Sequence, residues 1–396
     1  MVNILFEEAN KPCEAYLPLD GRIVHWHPNT VKYYNNIGAA YYQQGDYSKA
    51  LEWEMKVLEI RERVLGPDHP DTATSCNLVF LSHYMKGDYP EALKWGLKAL
   101  AIREKVLGLD HMGIEATYGN ISKTYYALGD YQEALEWRIK ELAIREKGIG
   151  AEHWDIAETY SGVGLIYYRQ GDYPEALEWY MKALAIREKV LGMEHPDTAS
   201  TCDSIGMMHY WLGDYSEALE WHMKALAIRE SVFGAEHPDT VSTCDSIGTM
   251  HYRQGDYPKA LEWNMKTLAI REKVLGTEHS DTAITYNNIA MTYYQQGDYP
   301  TAHEWHMKAL AANEKALGAE HPNTARTYHN IGKLYNAQGE RLTALEWFVK
   351  SYRVRRDKLG EAHSDTVETK NRTEDTYAKA KLPAPFEQWL REQLGE

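Results

Sequence analysis

From about residue 30 onward the apolar residues keep a helical period, and the whole pattern returns every 42 residues. One column reads Ile37, Val79, Ile121, Val163, Ile205, Ile247, Ile289 and Ile331, β-branched throughout. The next position is small in most repeats, as Gly38, Ser122, Gly164, Gly206, Gly248, Ala290 and Gly332, with Phe80 as the exception. A second segment carries Ala50, Ala92, Ala134, Ala176, Ala218, Ala260, Ala302 and Ala344, each followed three residues later by tryptophan, from Trp53 to Trp347. These stripes predict two amphipathic helices per repeat, A and then B. The small column predicts a close approach of A to B, and Phe80 predicts a repeat that packs differently. The eight tryptophans are expected to be buried as a ladder between successive hairpins.

Two turns punctuate the pattern. Gly-Asp-Tyr recurs from Gly45 to Gly297, with a degenerate copy at Gly339-Glu340-Arg341. A second turn carries His27, His69, His111, His153, His195, His237, His279, His321 and His363, mostly as His-Pro-Asp-Thr. Nine His turns and eight Gly turns predict seventeen repeat helices, nine of type A and eight of type B, and no strands. Helix A is placed from about Asp71 to Lys86 in the second repeat. Helix B is placed from about Tyr173 to Leu191, with Gly192 as a left-handed stop. Asp88, Asp130, Asp172 and Asp214, each three residues before a glutamate, read as capping boxes. Gly-Asp ends one helix and starts the next within two residues, which requires an antiparallel hairpin. Length alone suggests two or three domains, but a repeat array grows as one body, hairpin by hairpin.

Composition narrows the function. There are 29 Tyr and 12 Trp against 5 Phe, so the core carries polar tips to its edges, as suits thin layers of helices. The net charge is −15, with no basic run, which argues against nucleic acid and against an anionic membrane surface as partners. No apolar run reaches membrane-spanning length and the N-terminus lacks signal-peptide character, so a cytoplasmic location is expected. Cys76, Cys202 and Cys244 share one repeat position in the apolar stripe of helix A and read as small buried hydrophobes.

Gly38, Tyr41, Gly45, Tyr47 and Ala50 have the spacing of the tetratricopeptide pattern, here lengthened by eight residues. With "ALAIREKVLG", "EHPDTA" and "TYNNIA" in order, the chain resembles the 42-residue tetratricopeptides of kinesin light chains and related bacterial and fungal signalling proteins. HEAT and armadillo units have similar lengths but not this Gly-Tyr-Gly-Ala spacing. The resemblance covers residues 27 to about 380. It implies an all-α fold, a right-handed α-solenoid superhelix of about eight helix-turn-helix repeats plus a terminal capping helix. The expected organisation is a cap segment at 1–26, the solenoid at 27–381 and an amphipathic helix at 382–396. Within 1–26, "NILFEEA" is a candidate short helix. Phe386 and Trp389 of the last segment are expected to fold back onto the final repeat, with docking to a partner as the other reading.

Catalytic signals are absent: there is no P-loop, no G-x-G-x-x-G and no G-x-S-x-G. No enzyme activity, cofactor or metal is expected. The His turns lie one repeat apart, too far to converge on an ion, and read as hydrogen-bonding their own turns. His303 and His306 read as surface or packing residues.

Binding remains. In the resembling family helix A lines a concave groove, so the groove columns are read from helix A. An asparagine amide both donates and accepts, and one per repeat could pair an extended peptide, whose three residues span about one ~10 Å repeat step. Groove asparagines of kinesin light chains hold short Trp-acidic cargo peptides. Asn35, Asn36, Asn120, Asn287, Asn288 and Asn330 match that motif in part, and Asn77 stands in the same column as Asn35. Repeats four to six depart from it, with Ser161-Gly162, Asp203-Ser204 and Asp245-Ser246. There Arg169, Trp211 and Arg253 stand beside Tyr168, Tyr210 and Tyr252, the aromatic and arginine chemistry of binding hot spots, with Asp203 and Asp245 nearby. Lys123 belongs to a neighbouring column. The expected function is a scaffold or adaptor that binds a protein or peptide in this groove. The alternative is a ligand-sensing or regulatory arm that serves a signalling enzyme or ATPase in trans.

Overall fold

Every His turn of the described chain starts a helix in the same way. A computed structural model describes residues 16–19, 22–25, 28–109 and 111–395. In it the imidazole Nδ1 of His69, His153, His195, His237, His279, His321 and His363 accepts the backbone N–H two residues on, at 3.1–3.2 Å. The histidines are helix N-caps, each satisfying a donor that the first turn leaves without a partner. His27 lies outside the described residues. His111 does the same for a short 3₁₀ turn, Met112–Ile114.

The A helices are α1 (Pro28–Gln43), α3 (Pro70–Met85), α5 (Glu115–Leu128), α7 (Trp154–Gln170), α9 (Pro196–Leu212), α11 (Pro238–Arg253), α13 (Ser280–Gln296), α15 (Pro322–Gln338) and α17 (Ser364–Ala380). The B helices are α2 (Tyr47–Val64), α4 (Tyr89–Leu107), α6 (Tyr131–Ile149), α8 (Tyr173–Val190), α10 (Tyr215–Phe233), α12 (Tyr257–Val274), α14 (Tyr299–Leu317) and α16 (Arg341–Leu359). A last helix, α18, covers Phe386–Leu394. The fold class is an all-α solenoid of tandem helix hairpins. By contacts the chain forms two compact units, Met1–Met193 and Glu194–Glu396.

Glycine sets both turns. Gly129, between α5 and α6, has φ 86° and ψ 3°, the left-handed conformation that reverses the chain. Gly108, after α4, has φ 85° and ψ 158°, a region open in practice to glycine alone. Gly192 also has a positive φ, 92°.

Two sequence expectations need correction. The capping boxes do not form: Asp88, Asp130, Asp172 and Asp214 make no side-chain cap bond. Asp46, Asp256 and Asp298 do cap, accepting the N–H of Lys49, Lys259 and Thr301 at 3.1–3.3 Å. The difference is the third residue: a glutamate there sets carboxylate against carboxylate, whereas lysine or threonine does not. Strands also occur. β1 (Tyr16–Leu19) pairs antiparallel with β2 (Arg22–His25), Leu19 opposite Arg22. Two short runs flanking Asp20-Gly21 are the sequence signature of such a hairpin. The candidate helix at "NILFEEA" lies outside the described residues.

Within a hairpin, A and B meet at the small column. A Cβ on Gly164 would stand 3.2 Å from the Ala176 carbonyl oxygen and 3.2 Å from the Tyr180 ring. Where Phe80 replaces the small residue, the facing residue of α4 is Gly96, and a Cβ there would stand 3.1 Å from the Phe80 ring. The repeat packs differently by exchanging large for small across one contact.

Between hairpins the core is apolar. Leu142 of α6, Ile156 and Ala157 of α7, and Ala183 and Ile186 of α8 form one cluster, with Tyr160 and Trp179 against it. A polar clamp runs beside such clusters. Arg271 Nη1 of α12 donates to the Asp281 carbonyl (3.1 Å) and to Thr285 Oγ1 (2.6 Å) in the first turns of α13. Arg61, Arg145, Arg229 and Arg355 make the same contact with the helix that follows, Arg61 to Ser75 in place of threonine. Cys76, Cys202 and Cys244 are buried, and burial pushes the Cys76 and Cys244 thiols up to about 11. In α18, Trp389 lies 4.8 Å and Phe386 5.5 Å from the Tyr377 ring, so both fold back onto α17.

The tryptophans are half-buried rather than fully enclosed. Each packs its inner face on the core and carries the ammonium of the lysine three residues on, 3.8–4.9 Å from the ring centroid, on the other. Trp179→Ala is expected to cost about 2–3 kcal/mol, below the ~3–5 kcal/mol of a fully enclosed ring. Urea unfolding of the full chain measures it.

Candidate functional site

The close approach of A and B leaves one slot per hairpin, filled from helix B by the residue sixteen after the small column. The occupants are Glu54, Gly96, Arg138, Tyr180, His222, Asn264, His306 and Phe348, all buried. They are chemically unlike one another, although the frame around them barely changes. The sequence reading passed them over, because at helical spacing they look like ordinary core positions. The pairing of Phe80 with Gly96 in one hairpin is the signal that could have exposed them.

Most polar occupants are paired internally. Ser82 donates to Glu54 at 3.0 Å, and burial lifts that carboxyl to about 7. Arg138 reaches Glu141 at 2.9 Å, Glu141 reaches Arg145 at 3.0 Å, and Arg145 reaches Glu115 at 3.2 Å. A Cβ at Gly162 would collide with the Arg138 guanidinium, and one at Gly119 would stand 2.9 Å from the Glu141 carboxylate. Those two departures from the repeat therefore make room for a buried ionic network. His222 Nδ1 meets Asp203 at 2.9 Å, and Arg229 pairs with the same carboxylate. His306 Nδ1 meets Asn287 Oδ1 at 2.9 Å.

This places the expected site residues. Asp203 is engaged by His222 and Arg229, Asp245 by Arg271 at 2.5 Å, and Asn287 is buried, donating to Thr327 at 2.9 Å. Asn287 serves the interior, while Asp203 and Asp245 are half-buried and held by these ion pairs. The Asn35 Oδ1 is sealed without a partner. Asn77 and Asn120 stand side by side, 3.5 Å apart. Lys123 is exposed and Asn330 half-buried.

The tyrosine column forms a ladder within each unit. Tyr126 Oη accepts from Arg169 at 2.7 Å, Tyr210 from Arg253 at 2.7 Å, and Tyr252 from Gln295 at 3.0 Å. Each ring also leans on the first tyrosine of its own helix B: Tyr168 on Tyr173, Tyr210 on Tyr215 and Tyr252 on Tyr257, at 5.8–6.1 Å. Trp211 stands edge-on to Tyr210 with 48% of its surface exposed. Arg169 belongs to the first unit, Trp211 and Arg253 to the second.

The second unit holds a cavity of about 170 Å³ between α11 and α13. Tyr252, Arg253 and Thr249 line it from one side, Asn288 and Met291 from the other, and Asn264 of α12 forms its floor. Asn264 is 3% exposed and its Oδ1 has no partner. Gly248 keeps the slot open: a Cβ there would stand 2.9 Å from that oxygen. A larger cavity, about 360 Å³, lies among α16, α17 and α18, where Lys370 pairs with Glu387 at 2.9 Å and Arg356 with Asp357 at 3.2 Å.

Two comparisons bear on what kind of protein this is. The hairpin stack with its variable rows defines a helical-repeat binding fold. Family models described as tetratricopeptide repeat match residues 30–71, 81–147, 156–197, 202–273, 245–315 and 281–357. The chain belongs to the tetratricopeptide repeat family, and its 42-residue step and turn motifs are of the kinesin-light-chain-like type. No curated protein matches it in sequence. Among solved structures, a tetratricopeptide repeat protein from Parabacteroides merdae superposes with TM-score 0.56 at 18% identity, covering 76% of this chain and 98% of its own. RapI in its apo form gives 0.54 at 17%, covering 72% and 97%. A kinesin light chain-type protein of nearly identical TPR-like repeats from Podosopora anserina gives 0.48 at 25%, covering 52% and 98%. The first two share the fold. Among the described residues no helix is long and apolar enough to cross a membrane.

Burial also sets a pH dependence. It pushes His306 down to about 3 and, with Arg355 beside it, His329 to about 3. An unfolded histidine titrates near 6.5. Below that pH the unfolded chain takes up protons that the folded chain refuses at these two sites, so their contribution to stability falls as pH drops from about 6.5 towards 3 and is constant above. In His306→Gln the loss of stability between pH 6 and pH 4 is expected to be shallower than in the wild type, as read from urea midpoints.

Proposed function

We propose that this protein is a non-enzymatic scaffold that holds an extended segment of a partner protein along the row between its A helices, with the Tyr252–Arg253 cavity as its anchor point in the second unit. The observation that carries the reading is the buried, unpartnered Asn264 amide beneath an open cavity rimmed by a tyrosine and an arginine. Membership of a repeat family whose invariant frame presents variable surface rows supports it. Lys123 and the Tyr126–Arg169 pair are the counterparts in the first unit. The same row would serve a regulatory arm acting in trans on a signalling enzyme, which differs in what the partner does and not in how it is held.

Selection of a displayed random-peptide library on the full-length protein tests this. Selected peptides are expected to lose at least tenfold in affinity when Tyr252→Ala and Arg253→Ala are combined, in a protein that keeps its helical circular dichroism. Peptides that bind equally well to that variant, or a library that yields none, would overturn the assignment.

A further inference from the structure

We propose that the slot of the first hairpin is a proton-operated latch: a neutral Glu54 bridges α2 to Asn35 on α1 and closes it, and ionisation of Glu54 loosens α1 and α2 from the hairpin that follows. This stands apart from the scaffold reading and makes no use of its cavity.

The repeat register sets the two groups against each other. In two other hairpins the slot residue meets the helix A residue nineteen places earlier, His222 with Asp203 and His306 with Asn287, each at 2.9 Å. Nineteen places before Glu54 stands Asn35. Glu54 is 5% exposed, and Gly38 admits it: a Cβ there would stand 3.6 Å from the Glu54 Cγ. Ser82 of α3 donates to Glu54 Oε1 at 3.0 Å. The other carboxyl oxygen, Oε2, and the Asn35 Oδ1 are both enclosed and both without a partner. Two acceptors cannot bond each other until one of them carries a proton. The carboxyl can take it, and its O–H then donates to the Asn35 carbonyl oxygen and satisfies both.

Among the described residues no cation answers the ionised form. Lys56 lies over the Trp53 ring, Arg61 donates to the Asp71 carbonyl and to Ser75, and His83 on α3 pairs with Asp88. On α1 the titratable neighbour is the Tyr42 phenol, raised by burial, by Tyr47 and by the Glu54 charge. Burial lifts the Glu54 carboxyl to about 7 against the lowering effect of Ser82. A solvated glutamate titrates near 4.3. Between those values the closed hairpin holds a proton that the open one releases, so closure weakens as pH rises from about 4.3 to about 7 and levels off above. The Asp245–Asn264 slot also encloses two unpartnered oxygens, but there Arg271 neutralises Asp245. Leu58, packed on Ala73, Cys76 and Val79, keeps the far end of α2 on α3, so the hairpin loosens without detaching.

Hydrogen exchange of the full chain, read by mass spectrometry and corrected for the intrinsic pH dependence of amide exchange, tests this. The opening constant of the α1 and α2 amides is expected to rise at least tenfold from pH 5.5 to pH 8. In Glu54→Gln, whose amide accepts from Ser82 and donates to Asn35 at every pH, it is expected to stay level. Glu54→Met gives the same level profile should the glutamine variant fold poorly. Asn35→Ala removes the acceptor that favours the neutral acid and should cut the rise at least threefold. A level wild-type profile overturns the proposal, since the Asn35 amide is then turned to donate to an ionised carboxylate. A rise that persists in both Glu54 variants places the titrating group elsewhere, and a rise left intact by Asn35→Ala removes the bridge. Either result overturns the latch as well.

Discussion

One contact governs the rest: the near-touching of each A helix and its own B helix at a small residue. Because no side chain separates the backbones there, whatever helix B projects sixteen residues later enters a slot of fixed size. Where the small residue is glycine the slot accepts Tyr180 or Phe348, and where it is Phe80 the slot holds Gly96. Large and small are traded across the contact, as expected of a close-packed interior that tolerates conserved volume far better than added volume. The clamp from the B helices to the next A helix, an arginine in most and Asn313 in α14, fixes the following hairpin at the same step. An inserted residue in either turn would unhook both, which accounts for a 42-residue spacing held without interruption.

A frame this regular confines chemical variety to a few columns. The slot column is one, and the facing column of helix A, from Asn35 to His329, is another. Several of their polar groups pair with one another: Glu54 with Ser82, Arg138 with Glu141, His222 with Asp203, His306 with Asn287. Such buried pairs contribute little net stability but penalise any shift of one hairpin against the next. Asn264 differs in lining an open cavity, and for that reason the proposed anchor point is placed there.

Much of the frame was legible from the chain because its signals are local. Helix count, turn positions, the histidine caps and the close approach at the small column follow from spacing within a few residues. Depth was not legible. Helical periodicity tells which face a residue occupies but not whether a neighbouring helix has already closed over it, so Asn287 reads as a groove group and lies inside, and Asp203 and Asp245 are half-buried in ion pairs. The tryptophans erred in the opposite sense: eight identical rings suggested full enclosure, yet each leaves one face to a lysine. The arginine of the "AIRE" motif carried no visible role, because its partners stand ten and fourteen residues away on the next helix. The capping boxes failed for a reason that was readable, two carboxylates set against each other, and the 16–25 hairpin was announced by Asp20-Gly21.

The most direct measurement is a double-mutant cycle across the second hairpin, with Phe80→Gly, Gly96→Phe and the two combined. Phe80→Gly empties the slot and Gly96→Phe overfills it, each costing on the order of 2–5 kcal/mol. The combined variant reproduces the Gly332–Phe348 arrangement of the last hairpin and is predicted to recover at least 2 kcal/mol relative to the sum of the single losses. Losses that add to within about 0.5 kcal/mol would show that the two positions do not share a slot.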